Sequence, residues 1–111
     1  MKKIEAVIRS SKLDEVENAL NRMSVDGMTV YQVIGSGRHS GCKTEVYRGT
    51  KIEMRLLPRV KVEVIVRDND CDLAIEKIQQ AAETNKTGDG IIWVTNVENL
   101  IRIKNGESDM D

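Results

Sequence analysis

The sequence is poor in aromatic residues and in histidine, which excludes several classes of function. Among 111 residues there is no Phe, one Trp, two Tyr, one His and one Pro. An RNA-recognition sheet stacks bases on aromatic rings, and here Tyr31 and Trp93 stand isolated in the sequence. With a single His, no Ser-His-Asp or Cys-His arrangement is apparent. We therefore predict that the protein is not an enzyme.

Long apolar runs and an excess of one charge are also absent. Lys and Arg number 17 and Asp and Glu number 18, a net charge of −1, which is not typical of a general nucleic-acid binder. No apolar stretch approaches the roughly 20 residues needed to cross a bilayer, and Glu5 and Arg9 interrupt the N-terminal segment where a signal peptide would be apolar. Cys42 and Cys71 form no CxxC pair. We expect a cytoplasmic protein whose cysteines are reduced.

Apolar periodicity predicts the order β-α-β, a long connection, and β-α-β again. Alternation typical of strands occupies residues 4–8 and 60–66, and β-branched or apolar runs fill 28–35 and 91–94. Helical spacing covers two stripes, and Ser11 is a candidate N-cap for the first. The stripes are Leu13, Val16, Ala19, Leu20 and Met23, and Cys71, Ala74, Ile75, Ile78, Ala81 and Ala82.

This order predicts a single α+β domain over 1–111 with a ferredoxin-like βαββαβ fold. Its four-stranded antiparallel sheet would carry two helices on one face, with a short C-terminal strand, "LIRIK", and a loose tail over 105–111. Apolar residues also fall on the other face of the predicted sheet, and burying them would favour an oligomer. The residues that place apolar groups on both faces are Ala6, Val7, Ile8, Val30, Tyr31, Val33, Ile34 and Ile65.

The long connection, residues 36–58, has no sustained apolar period and is rich in Gly, Lys and Arg. Loops of this length inside a compact domain are usually functional or disordered. We expect a flexible, basic, exposed arm.

A second short segment, "TNKTGDG" at residues 84–90, leaves two interpretations open. Gly-Asp-Gly is a turn signal, because Gly reaches positive φ without steric cost and Asp bonds to nearby backbone. Bare amides in such a loop can also hold an anion. The segment alone does not decide between a plain turn and an anion cradle.

Several segments in order resemble the PII nitrogen-signalling family, over nearly the whole chain. They are "MKKIEAVIR", "GMTV", "TEVYRG", "LPRVKVE", "TNKTGDG" and "IRIKNGE". The resemblance implies a cytoplasmic homotrimer that binds ATP or ADP between subunits and signals through other proteins. A trimer would bury the second apolar sheet face.

The resemblance also implies a set of nucleotide-binding positions. The Gly-Asp-Gly loop would surround the phosphates, the base of the arm would join it, and a basic C-terminal pair would add cations. The residues are Gly35, Gly37, Arg38, Glu63, Gly88, Asp89, Gly90, Arg102 and Lys104. Two positions depart from the family: Lys104 stands where Arg is usual, and Ile91 stands where Lys usually follows Gly-Asp-Gly.

With ATP and Mg²⁺, many family members bind 2-oxoglutarate at the base of the arm. Gly37, Gly41 and Arg59 match positions of that site, with Arg59 in place of the usual Lys. His39 stands where a Gln helps ligate Mg²⁺, and imidazole is a poor ligand for that cation. Mg²⁺ and 2-oxoglutarate binding therefore stay open, and we assign no metal site to His39.

The arm would bind the partner protein. Tyr47, Arg48 and Gly49 match the family's "YRG" stretch, while Ile52 aligns with the tyrosine that many relatives uridylylate and that some Gram-positive-type relatives replace by an apolar residue. The partners implied are an ammonium transporter, glutamine synthetase or a nitrogen-responsive regulator. The protein would then reach a membrane only through a transporter and would not bind nucleic acid directly. The alternative is a diverged scaffold that has lost nucleotide or 2-oxoglutarate sensing and acts as a protein-interaction module.

Overall fold

A computed structural model describes residues 1–23, 25, 27–36, 43–47, 50–54 and 56–109. Four strands form one antiparallel sheet in the order β2-β5-β1-β6. They are β1 (Lys2–Ile8), β2 (Met28–Ser36), β5 (Leu56–Val66) and β6 (Gly90–Asn96). The central strands β5 and β1 pair with Lys2 opposite Val66 and Ile8 opposite Val60. The predicted ferredoxin-like sheet is confirmed.

Two helices complete the fold, α1 (Leu13–Asn21) and α2 (Asp68–Ala82). The helices contribute Val16, Leu20, Cys71, Ala74, Ile78 and Ala82 to the buried core, and the sheet contributes Ile4, Ala6, Ile8, Val60, Val62, Val64 and Val66. The sheet residues of this set are all even-numbered, as expected when alternate side chains of a strand point to the same face. Both helices therefore cover one face of the sheet, as the periodicity predicted.

The arm contains regular structure that the sequence did not indicate. Strands β3 (Lys43–Tyr47) and β4 (Thr50–Met54) pair as an antiparallel two-stranded sheet. Strands β2 and β5 also extend towards the arm as far as the pair Ser36 and Leu56. The segments KTEVY and TKIEM mix charged and apolar residues, so main-chain pairing forms here without a hydrophobic period.

One local prediction was wrong, and the predicted short C-terminal strand is present but shorter than expected. Ser11 lies within a 3₁₀ turn, Ser10–Lys12, and α1 has Lys12 at its N-cap with no side-chain cap bond. The C-terminal strand β7 covers only Leu100–Ile101, and it pairs with β8 (Ser108–Asp109) rather than with the main sheet. The Gly106 amide donates to the Arg102 carbonyl oxygen at 2.8 Å, so the chain turns where the sequence suggested a continuing strand.

The sheet face opposite the helices is mixed rather than apolar. The strand register places the odd-numbered residues there, and Val7, Tyr31, Val33 and Ile65 are among them. The centre of this face, however, is an ion-pair cluster of Lys3, Glu5, Lys61 and Glu63. We call it the charged cluster.

Candidate functional site

The loop over 84–90 has a side-chain framework centred on Asp89. One carboxylate oxygen of Asp89 accepts a hydrogen bond from the Thr84 amide at 2.7 Å, and the other accepts one from the Thr84 hydroxyl. The Arg9 Nε donates to the same second oxygen at 3.2 Å, and an Arg9 Nη donates to the Thr87 carbonyl oxygen at 2.9 Å. Arg9 directly follows β1, so the loop is attached to the sheet by a side chain distant in sequence.

These bonds favour the ionised form of Asp89. The two hydrogen bonds from Thr84, and after them Arg9, lower the pKa of Asp89 from 3.8 to about 2. Because this pKa is lower in the folded protein than in the unfolded chain, Asp89 stabilises the folded protein at pH values above the unfolded-state pKa. This contribution is lost as the pH falls towards 2. Asp89 therefore stays charged throughout the physiological range.

The two glycines of the loop have backbone conformations that other residues rarely adopt. Gly88 has a φ of 99° and Gly90 a φ of 118°. A Cβ on Gly90 would lie 1.8 Å from the Val7 carbonyl oxygen, because β6 passes close to β1 there. Close strand approach therefore requires glycine at position 90, whatever the loop binds.

A cleft lies at the other end of β1. Its volume is about 390 Å³, and it is lined by Met1, Lys3, Gly27, Thr29, Glu63, Val64, Ile65, Leu100 and Arg102. Two predicted nucleotide-binding residues, Glu63 and Arg102, thus share one cleft, beside an apolar wall from Ile65 and Leu100. The volume falls within the range of small-molecule sites.

Within one chain, the loop and the cleft are far apart. Gly90 pairs with Ile8 at the C-terminal end of β1, whereas the cleft holds Met1 and Lys3 at its N-terminal end. Since a strand rises about 3.4 Å per residue, the two features are separated by roughly 20 Å. One chain does not bring Arg102 to the Gly-Asp-Gly loop.

Glu63 belongs to the charged cluster as well as to the cleft. Its carboxylate lies 3.2 Å from the Lys61 ammonium and 3.8 Å from that of Lys3, and accepts a hydrogen bond from the Tyr31 hydroxyl at 3.1 Å. Lys61 also lies over two rings, 5.3 Å from the Tyr31 centroid and 5.8 Å from that of Trp93. The sequence analysis named Glu63 but not these neighbours, because the residues that contact it from adjacent strands depend on the strand register.

Lys3 and Glu5 are the most closely paired members of the cluster, with 2.6 Å between Nζ and Oε1. The hydrogen bond between them raises the pKa of Lys3 and lowers that of Glu5. Lys3 lines the cleft, so it is a functional candidate that the sequence analysis did not name. The signal that could have found it is the spacing of two residues between Lys3 and Glu5, which places both side chains on the same face of β1.

The remaining predicted residues are only partly described. Gly35 pairs with Leu57 at the arm end of the sheet, and Arg59 there donates to the Pro58 carbonyl oxygen at 3.0 Å. Lys104 and Ile91 are both exposed. Six positions lie outside the described residues: Gly37, Arg38, His39, Gly41, Arg48 and Gly49. Tyr47 of β3 pairs with Thr50 of β4, and Ile52 of β4 pairs with Glu45 of β3.

Two kinds of site are not found in the described part of the chain. Those residues hold no group of three or more His, Cys, Asp or Glu side chains placed to bind a metal. Among the same residues, no helix is long and apolar enough to span a membrane.

Comparisons with known proteins agree on one family. The family described as nitrogen regulatory protein P-II matches residues 1–107. Proteins named nitrogen regulatory protein P-II from Rhizobium meliloti (strain 1021) and Azospirillum brasilense are 49% and 50% identical over 111 residues, covering 100% of this chain and 98% of each relative. One of the same name from Pasteurella multocida (strain Pm70) is 48% identical with the same coverage.

Proposed function

Because the chain belongs to the nitrogen regulatory protein P-II family, and is thus a nitrogen-regulation signalling protein, we propose that it senses ATP and ADP at sites between neighbouring copies of itself. The protein is a cytoplasmic homotrimer. The nucleotide sets the conformation of the arm, and the arm engages a partner of nitrogen metabolism.

The separation of the loop from the cleft carries this proposal. Arg102 and Glu63 line a cleft at one end of β1, and the loop of Gly88 and Gly90 lies at the other end. A phosphate chain needs both the amides and the cation, so a second copy must supply one of them. Around a closed ring of identical subunits, every interface would pair one copy's loop with the next copy's Arg102.

The chemistry of the two halves is complementary. Backbone amides at positive φ form a concavity suited to phosphate oxygens, and a guanidinium binds phosphate through two parallel hydrogen bonds. The apolar wall of the cleft, from Ile65 and Leu100, suits an adenine ring. Thr29 and Glu63, in the same cleft, offer polar groups to the base or the ribose.

The arm carries the output of this site. Gly35, at the arm end of β2, lies at the same end of the sheet as Gly90, because β2 and β6 flank the β5–β1 pair there. A phosphate bound at the loop would therefore lie at the arm end of the sheet, on the opposite edge strand from Gly35. Binding shifts the arm only by as much as the nucleotide prefers one arm state over another. 2-Oxoglutarate binding remains a prediction from the sequence.

Replacing Arg102 by Ala tests the nucleotide site. Loss of a charge-assisted hydrogen bond to phosphate costs roughly 1.5–3 kcal/mol, so ATP and ADP should bind about ten- to a hundredfold more weakly by titration calorimetry. Arg22→Ala, which removes an exposed arginine just after α1, is the matched control and should bind like the parent.

Unchanged affinity in Arg102→Ala would remove this residue from the site. If the parent protein binds neither ATP nor ADP, the nucleotide proposal fails, and the protein is an interaction scaffold of the same family.

A further inference from the structure

We propose that Arg9 and Asp89 form a positioning pair that holds the loop over 84–90 in shape to receive phosphate, and that the Asp89 side chain makes no contact with the ligand. This assigns to Arg9 a function that the sequence analysis did not give it. It changes the expected role of Asp89 from binding to support. The inference rests on the proposed nucleotide site and deepens it.

A carboxylate inside a phosphate cradle repels the ligand, because both groups are negatively charged. In this loop both carboxylate oxygens of Asp89 are directed to protein donors, the Thr84 amide and hydroxyl and the Arg9 guanidinium. The negative charge is thus neutralised by Arg9 and is turned towards the loop's own backbone.

The contacts of Arg9 constrain the geometry of the loop. Arg9 uses two different nitrogens, Nε on Asp89 and Nη on the Thr87 carbonyl oxygen, so one side chain fixes two points of the loop. The Thr84 amide fixes a third point, again through Asp89. The loop is therefore closed by side chains around Gly88, whose φ of 99° glycine adopts without steric cost.

A loop held in this way should bind phosphate more tightly. A loop that is ordered before binding loses less conformational entropy when the ligand arrives. Fixing one residue's backbone costs about 1–2 kcal/mol, so each loop residue freed by a mutation should weaken phosphate binding by about tenfold. The loop contacts only the phosphates of the ligand, so the loss of affinity should grow with the number of phosphates.

A double-mutant cycle on the full-length protein tests this. Arg9→Met, Asp89→Asn and the double variant are titrated with ATP, ADP and adenosine, and hydrogen exchange of the loop amides is measured without ligand. Lys12→Met is the control, since it removes a nearby cation whose partner is Glu15 at 3.1 Å, away from the loop. Arg9→Lys, which retains the charge but not the two-point contact, serves if Arg9→Met does not fold.

The expected result has three parts. Each single variant loses about tenfold in ATP affinity and little in adenosine affinity, the double variant is no weaker than the weaker single variant, and loop amides exchange faster while core amides do not. Equal losses for ATP and adenosine, or losses that add in the double variant, would overturn the proposal. The first would indicate general destabilisation, and the second independent contacts with the ligand.

Failure of the proposed function is distinguishable from failure of this inference. If the parent binds no nucleotide, the exchange experiment alone decides. Faster loop exchange in both single variants would support the positioning pair, and unchanged exchange would overturn it.

Discussion

At the scale of single residues, Gly90 links the candidate site to the sheet. It is the first residue of β6 and pairs with Ile8, and its φ of 118° places the missing Cβ within 1.8 Å of the Val7 carbonyl oxygen. A methyl group there cannot be accommodated by turning a side chain, because the obstacle is backbone. The loop and the start of β6 therefore have to move together.

Gly90→Ala should destabilise the protein by about 1–3 kcal/mol, the usual cost of a strained backbone position, and should lower the thermal midpoint by several degrees. Gly27→Ala is the matched control, because a Cβ on Gly27 meets nothing within 4 Å, and it should be close to neutral. Calorimetric melts of the two variants make the comparison. Equal midpoints would mean that β6 shifts away from β1 at little cost.

The sequence indicates which residues form the candidate site better than it indicates what each side chain contacts. Both readings of Gly-Asp-Gly, turn and cradle, rest on local sequence, and the structure shows what local sequence cannot contain. The Arg9 contact spans 80 residues and the Tyr31–Glu63 bond spans 32, so each depends on the register of the finished sheet. No spacing rule along the chain indicates either pairing.

At the scale of elements, apolar periodicity predicted the helices and strands that bury one face. Helix α2 buries Cys71, Ala74, Ile78 and Ala82 as its spacing predicted. Elements without a sustained apolar period left no such signal. The β3–β4 and β7–β8 strands pair through their main chains, and the sequence analysis placed only loops or a longer strand there.

The arm should be dispensable for folding. Ser36 and Leu56 are directly paired at the end of the β2–β5 ladder, so a two-residue Asn-Gly turn can replace 37–55 without changing the register. Because a shorter loop costs less closure entropy, the free energy of unfolding should stay within about 2 kcal/mol of the parent or rise. Chemical denaturation measures this.

The same variant should lose its partner. Capture of nitrogen-metabolism proteins from native membranes and soluble extract, with ATP or ADP present, should fall to background. Arg48→Ala in the full-length chain is the companion variant, and loss of capture there would assign the contact to that residue. Undiminished capture by the arm-replaced protein would place the partner surface on the body of the fold.

At the scale of the whole molecule, the open sheet face and the proposed nucleotide site both favour an assembly of several copies of the chain. The face carries a charged cluster flanked by Tyr31 and Trp93, which are 43% and 36% exposed in the single chain. A second copy covering this face would bury aromatic surface and bring its own charges to the cluster. The proposed nucleotide site needs a second copy for a separate reason, since loop and cleft lie at opposite ends of β1.

Subunit mixing tests the division directly. Arg102→Ala subunits keep an intact loop, and Gly88→Val subunits keep an intact cleft but place a β-branched residue at a φ of 99°. Each variant alone should bind ATP weakly. After the two are unfolded and refolded together in equal amounts, about one quarter of the interfaces in a closed ring should pair an intact loop with an intact Arg102.

Those interfaces should bind ATP with the affinity of the parent protein, so calorimetry of the mixture should show a tight class of sites that neither variant shows alone. Light scattering of the mixture checks that its mass equals that of the parent assembly. A second mixture, of Arg102→Ala with Arg102→Ala,Gly88→Val subunits, contains no intact Arg102 and should show no tight class. Failure of the first mixture to regain tight sites, with assembly intact, would mean that the loop and Arg102 of the same chain act together, and the site would no longer require a neighbour.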